Sequence, residues 1–152
     1  MKAAAERVQR ALDANGLTCR VVELPASTRT AVEAAAAIGC EVAQIAKSIV
    51  FRGVTSGRPV IVITSGSNRV DETAVAAAAG GSIARADANG VIETEGYVIG
   101  GIPPLGHLGA PKVLFDPDLL RFATVWAAAG TPNAVFEVAP ADLLRAAGGE
   151  LL

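Results

Sequence analysis

In Gln44-Ile45-Ala46-Lys47-Ser48-Ile49-Val50-Phe51 a single lysine stands in a mostly apolar run. A cation so placed either snorkels to water on its aliphatic stem or faces a cavity where an anion binds. If Lys47 begins a strand, Ile45, Ile49 and Phe51 share its side, and the ammonium leaves an apolar neighbourhood. The second unusual stretch is Gly100-Gly101-Ile102-Pro103-Pro104-Leu105-Gly106-His107, which holds the sole histidine. Its glycines let backbone N–H groups approach a ligand closely, while its prolines fix the chain and donate no N–H of their own. A loop built this way suits a carbonyl or a developing oxyanion, and equally suits a rigid crossover with no ligand. His107 fits either acid–base work or a hydrogen bond that holds the loop.

Three further places are weaker. Ser27-Thr28-Arg29 precedes Thr30-Ala31-Val32-Glu33, a capping-box pattern; it serves either as a helix start or as a hydroxyl-rich wall from which Arg29 meets a phosphate. Ser65-Gly66-Ser67-Asn68-Arg69 follows an apolar strand, at the end where α/β folds place ligands; there Asn68 reads as a helix cap and Ser67 as a site residue. Asp116 is a site candidate or the cap of the turn before Leu119. Familiar catalytic signatures are missing: no P-loop, no GxGxxG, no GxSxG elbow and no HExxH. One histidine provides no zinc cluster, so no metal or cofactor is expected. Cys19 and Cys40 lack CxxC spacing and read as reduced, buried thiols, with nothing in the sequence to activate Cys40 as a nucleophile.

At 152 residues, 51% of them hydrophobic, the chain fits one domain over residues 1–152 with a real core. No apolar run is long enough for a membrane span, and the N-terminus becomes charged too early for a secretory signal; a cytoplasmic setting is expected. A net charge of −2 argues against coating DNA or RNA through many phosphates. It is compatible with gripping one end of an RNA through a few local cations.

The elements that must position these residues alternate irregularly. Helical spacing covers Lys2 to Asn15, stopped by Gly16, and Thr18 to Leu24 reads as a strand ended by Pro25. A helix from Thr30 closes at Gly39, a short helical turn spans Glu41 to Ala46, and Lys47 to Arg52 pairs as a hairpin with Pro59 to Thr64. The continuous run Val60-Ile61-Val62-Ile63 predicts a strand covered on both faces. A helix over Asp71 to Ala79, a strand over Ser82 to Ala86 and a helical segment from Asp87 toward Glu95 follow. Tyr97-Val98-Ile99 is an extended piece. Strands are then expected over Lys112 to Phe115, Thr124 to Ala128 and Ala134 to Val138, with a last helix after Pro140. This order predicts an α/β (α+β) mixed sheet, partly curled, surrounded by helices, rather than a βαβ repeat.

Four stretches together, Ser27-Thr28-Arg29-Thr30-Ala31, Gln44-Ile45-Ala46-Lys47-Ser48, Gly100-Gly101-Ile102-Pro103-Pro104 and Val113-Leu114-Phe115-Asp116, resemble the prolyl-tRNA synthetase-associated editing domains, the YbaK/ProX-type aminoacyl-tRNA deacylases. The resemblance runs nearly end to end. Val125-Trp126-Ala127-Ala128-Ala129-Gly130-Thr131-Pro132-Asn133 is similar to free-standing members with a Pro-Pro-x-Gly-His loop. It implies hydrolysis of the ester between a mischarged small amino acid (alanine, serine, threonine or cysteine) and the terminal adenosine of tRNA. Water is then the nucleophile, assisted by a ribose hydroxyl of the substrate. Lys47 would hold the terminal nucleotide near its phosphate, and the Gly100–Pro104 loop, with Gly100, Gly101 and Pro104, would bind the aminoacyl carbonyl. Thr28, Arg29, Thr30, Ile45, Ser48, Ser67, Ile102, His107 and Asp116 become candidates for substrate binding, His107 as a binding or orienting residue rather than a base. The partner implied is the aminoacyl-tRNA acceptor end, with a synthetase as an optional second partner; neither membrane nor DNA is implied. Ser48 stands where a threonine is common, a mild change that keeps the hydroxyl, and Leu105 stands where many members have phenylalanine, a change that bears on the amino-acid pocket. The alternative is a protein of the same fold that binds tRNA ends or nucleotides without turnover.

Overall fold

Two apolar, β-branched runs become the longest strands and the centre of the molecule. The computed structural model describes residues 1–87 and 96–152. In chain order the helices are α1 (Ala3–Ala14), α2 (Ala31–Ile38), α3 (Glu72–Ala79) and α4 (Pro140–Ala146). The strands are β1 (Val22–Glu23), β2 (Ile45–Gly53), β3 (Pro59–Ser65), β4 (Ile83–Arg85), β5 (Lys112–Phe115), β6 (Val125–Ala128), β7 (Ala134–Val138) and β8 (Glu150–Leu151). They form one open mixed sheet in the order β1-β7-β6-β2-β3-β5-β8, with β4 paired to β2 off that path. The β2–β3 hairpin is antiparallel from Ala46↔Ser65 to Arg52↔Pro59, while β6 lies parallel to β2 and β5 parallel to β3.

Side chains of β3 alternate between two cores, as its unbroken apolar run requires. Ile61 and Ile63 join Ala5, Val8 and Leu12 of α1 and Leu143 of α4 on one face. Val60 and Val62 pack with Phe51 and with Val75 of α3 on the other. A smaller cluster seats Ala34 and Ala35 of α2 on Ile45, beside Trp126. The expected mixed sheet flanked by helices is what the chain forms. Among the described residues no helix is long and apolar enough to cross a membrane.

Several boundaries differ from the sequence expectation for local reasons. The strand expected over Thr18 to Leu24 shrinks to Val22–Glu23, because the Gln9 side chain takes over its main-chain bonds: Gln9 Nε2 donates to the Cys19 carbonyl and Gln9 Oε1 accepts from Val21 N–H. Asp71, not Asn68, caps α3, accepting from the N–H groups of Thr73 and Ala74. In the Thr30 box the hydroxyl accepts from Glu33 N–H, but the Glu33 carboxylate takes the Ser27 hydroxyl at 2.7 Å instead of closing the box. A full box forms instead around the 3-10 turn Val42–Gln44. Tyr97-Val98-Ile99 joins no strand, and β8, unforeseen, pairs with β5. The helical segment expected toward Glu95 lies outside the described residues.

Candidate functional site

The site begins as a split in the sheet. Along the edge of β2 away from β3, Ile45 and Ala46 pair with Trp126 and Ala127 of β6. Farther on, Phe51 to Gly53 pair with β4. Between them, among the described residues, Lys47 to Val50 have no strand partner on this edge. Residues of an antiparallel strand turn their peptide groups alternately to its two edges. The Ile45 carbonyl accepts from Gly66 N–H on the hairpin side, and the Val50 carbonyl accepts from Ala86 N–H on the split side. Ser48, in phase with Val50, therefore turns its peptide groups into the split.

The split opens into a cavity of about 220 Å³. Its walls include Thr28, Arg29 and Thr30 ahead of α2, residues 45–50 of β2, Gly100 and Ile102 of the glycine loop, Arg85 at the end of β4 with Ala86 after it, and Trp126 to Ala128 of β6. Three of the lining residues are cations: Lys47, Arg29 and Arg85. Among the described residues none of them forms a salt bridge, and no carboxylate, imidazole or thiol lines the cavity. Lys47 and Arg29 are solvent-exposed, and Arg85 lies over the Phe51 ring at 5.7 Å. The remaining polar side chains are hydroxyls. Thr28 donates to the Pro132 carbonyl at 3.0 Å, Thr30 is occupied as the α2 cap, and the buried Ser48 Oγ has no hydrogen-bond partner.

The glycine loop reaches the cavity because two of its glycines admit neighbours that a side chain would exclude. Gly100 adopts φ +96°, the left-handed region open to glycine. A β-carbon there would lie 2.6 Å from Arg29 Cγ, so the bare glycine makes room for the arginine stem at the cavity wall. A β-carbon on Gly101 would meet the Thr131 main chain at 2.8 Å. With that space clear, the Gly101 carbonyl accepts from Gly130 N–H at 2.8 Å.

Behind the loop, a polar clamp fixes its ends. Arg7 of α1 donates to the Gly96 carbonyl at 2.6 Å and to the Tyr97 hydroxyl at 3.1 Å, with its guanidinium 4.3 Å from the centre of the Tyr97 ring. The Tyr97 hydroxyl in turn donates to the Gly106 carbonyl at 2.7 Å. His107 Nε2 lies 2.8 Å from the Pro103 carbonyl and its ring meets Tyr97 edge-on at 5.6 Å. A carbonyl only accepts, so Nε2 carries the proton. Burial lowers the His107 pKa to about 4, against the opposing pull of the Pro103 bond and with help from the charge on Arg7. The imidazole is neutral near pH 7 and orients the loop.

Of the residues singled out in the sequence, Thr28, Arg29, Thr30, Ile45, Lys47, Ser48, Gly100 and Ile102 meet around this one cavity. Gly101 and Pro104 form the supporting part of the loop, and His107 stands behind it. Ser67 and Asp116 do not line it. The Ser67 hydroxyl lies 3.2 Å from that of Ser65, which donates to the Ala43 carbonyl. Asp116 caps the 3-10 turn Pro117–Arg121 and ties it to the end of β3. Cys19 and Cys40 are free and only half-buried, and burial raises both thiol pKa values, the reverse of what a nucleophile needs. Arg85, Trp126, Arg7 and Tyr97 carried no assigned role in the sequence. The one available signal was that the only tyrosine stands just before the glycine loop.

A family model described as an aminoacyl-tRNA editing domain matches residues 25–146, which span both Lys47 and the glycine loop. A curated relative, the uncharacterized protein YwhH of Bacillus subtilis (strain 168), is 33% identical over 123 residues, 81% of this chain and 78% of that protein. A crystal structure described as a candidate trans-editing enzyme for prolyl-tRNA synthetase superposes with a TM-score of 0.94 at 44% identity, covering 100% of this chain and 96% of that one. The hypothetical protein APE2540 superposes at 0.88 with 31% identity, over 95% and 96% of the two chains. This chain belongs to the aminoacyl-tRNA editing domain family.

Proposed function

We propose that the protein is a free-standing hydrolase that deacylates mischarged aminoacyl-tRNA carrying a small amino acid. The observation that carries this reading is that Lys47 and the glycine-loop residues Gly100 and Ile102, 53 residues apart at their nearest, line one small cavity with cationic walls. Lys47 holds the phosphate of the terminal nucleotide, and Arg29 and Arg85 add positive charge around it. The aminoacyl carbonyl lies against the glycine loop where Gly100 and Ile102 reach the cavity wall, a bare main chain that suits charge developing on the carbonyl oxygen. Water attacks the carbonyl carbon, the ester C–O bond breaks, and the ribose oxygen leaves with a proton. The lining described above offers no general base, which favours a ribose hydroxyl of the substrate in the proton transfer. The cavity volume suits a side chain of a few heavy atoms. The substrate end, a phosphate, a ribose and a short acyl group, matches cations, main chain and apolar walls in turn.

Deacylation of tRNAs charged with alanine, serine, threonine, cysteine and proline tests the reading directly. Turnover of a small aminoacyl ester, lost in Lys47→Ala, is the expected result. Binding of charged tRNA through Lys47 with no cleavage would instead make the protein a binder of tRNA ends.

A further inference from the structure

Ser48 carries a hydroxyl whose state is unusual for a folded interior. The oxygen is buried and has no hydrogen-bond partner, although its residue lines the cavity. An unpaired buried hydroxyl destabilises a protein, whereas alanine at the same place would not. The other hydroxyls of the cavity wall are engaged: Thr28 with the Pro132 carbonyl, Thr30 with Glu33 N–H. Around Ser48 the lining is apolar. Ala46 and Val50 flank it on the same face of β2, and Ile102 and Ala127 belong to the same core cluster as both. Among the described residues, Ser48 Oγ is the one side-chain hydroxyl in this part of the cavity able to recognise a polar group. Because it holds no bond in the empty protein, a turn about χ1 toward the cavity breaks none.

We infer that Ser48 Oγ is the specificity contact for a hydroxyl on the aminoacyl side chain, and that the cavity prefers seryl or threonyl esters to alanyl esters. This rests on the editing reading above, with the carbonyl at the Gly100–Ile102 segment and the amino acid pointing inward from it. The α-amine is attached next to the carbonyl, while the side-chain hydroxyl lies one bond farther in, toward the core-facing apolar end. There the Ser48 oxygen both donates and accepts, matching a partner hydroxyl that does the same. A methyl group in its place leaves Ser48 unpaired. The discrimination follows from that loss rather than from volume, since the two acyl groups differ by a single oxygen.

The test uses stable amide analogues, 3′-serylamino- and 3′-alanylamino-3′-deoxyadenosine, with the intact protein and its Ser48→Ala variant. Calorimetry should show the seryl analogue binding about 10-fold tighter to wild type, the worth of one neutral hydrogen bond, and the preference should vanish in Ser48→Ala. The variant should also melt at the same or a higher temperature, because it discards an unpaired polar atom. Equal affinities for the two analogues in wild type would overturn the inference. So would an equal weakening of both in the variant, which would place the contact on the shared α-amine. A clear fall in melting temperature would show that the hydroxyl has an internal partner, and would overturn it as well. Neither measurement needs turnover. A protein that distinguishes the analogues but cleaves no ester would refute the hydrolase reading and leave the Ser48 contact standing.

Discussion

Two polar clusters flank the central hairpin, and they are built on opposite plans. Around Asp116 every visible demand is met. Oδ2 accepts from the Thr64 hydroxyl, Ser65 N–H and Asn68 Nδ2 at 2.9 to 3.1 Å, and Oδ1 accepts from Asp118 N–H at 2.9 Å. Burial alone would raise its pKa, but the bonds from Asn68, Asp118, Ser65 and Thr64 together outweigh it and hold the carboxyl below its ordinary value. Around Lys47 the plan is reversed: three cations without an anionic partner among the described residues, an unpaired hydroxyl, and strand edge left open. A closed network stabilises the chain that contains it. An open one is destabilising until something enters, and that asymmetry is the reason the proposed function is placed at the cavity and not at the Asp116 cluster.

The sharpest way to break this comparison is to remove the centre of each cluster. Lys47→Ala should lower kcat/KM for deacylation by about 100-fold, the scale of a lost charge-assisted contact to a phosphate, and leave the melting temperature nearly unchanged because the side chain is exposed. Asp116→Ala should do the opposite. It removes the acceptor of four donors, two of them, the Thr64 hydroxyl and Ser65 N–H, buried at the end of β3, and should cost about 2–4 kcal/mol in urea unfolding. Activity per folded molecule should persist. Equal loss of activity in both would place Asp116 in the site after all.

A second contrast lies in acid. The His107 pKa falls from 6.5 to about 4 on folding, so the unfolded chain takes up a proton at a pH where the folded one does not. Stability is therefore full above about pH 6.5 and declines as the pH drops toward 4, by about 3 kcal/mol in all. The Asp116 contribution runs in a separate window: present above the ordinary carboxylate value of 3.8, it is lost as the pH falls further through the lowered pKa. Urea unfolding at pH 7, 5.5 and 4.5 should show the first decline, and His107→Gln should flatten it. A profile unchanged by His107→Gln would mean that the imidazole is not held neutral.

Gly100→Ala follows in size. A left-handed alanine costs about 1–2 kcal/mol, and its β-carbon would push the Arg29 stem away from the cavity wall. KM should rise roughly 10-fold if Arg29 helps to hold the phosphate, with Arg29→Ala giving the same KM on its own. If Arg29→Ala leaves KM unchanged while Gly100→Ala raises it, the loop backbone alone is responsible.

Much of this arrangement was legible in residue order, wherever the cause was local. The β2–β3 hairpin followed from its apolar runs, α2 from Thr30 and Gly39, and the pairing of Lys47 with the glycine loop from the oddity of each and the family likeness of both. What escaped notice was nonlocal. Nothing near Thr18 to Leu24 shows that Gln9, on another element, would satisfy that stretch and shorten it. Asp116 and Ser67 stand in suggestive positions, yet side-chain direction sent one into a closed network and the other toward Ser65. Arg85 is one arginine in a three-residue strand and joins the cavity only because β4 pairs where β6 has left off. The split itself has no sequence signature, since it exists only between strands that approach β2 from different parts of the chain.

The smallest effect probes the clamp that lets the two plans coexist. Tyr97 is buried and passes a bond from Arg7 to the Gly106 carbonyl, so one end of the glycine loop is tied to α1 through its hydroxyl. Tyr97→Phe keeps the ring, the edge-on contact with His107 and the packing, and deletes that tie alone. The loss should be about 1–2 kcal/mol of stability, the net worth of a hydrogen bond plus the cost of the acceptor left behind. If the tie merely holds the fold together, kcat should not change. If it sets where Gly100 and Ile102 meet the carbonyl, kcat should fall about 3- to 10-fold with KM nearly constant, because the phosphate contact proposed for Lys47 lies on the other wall and is untouched. That split between kcat and KM, compared with the KM effect expected of Arg29→Ala, would assign binding to the cationic wall and carbonyl positioning to the glycine loop.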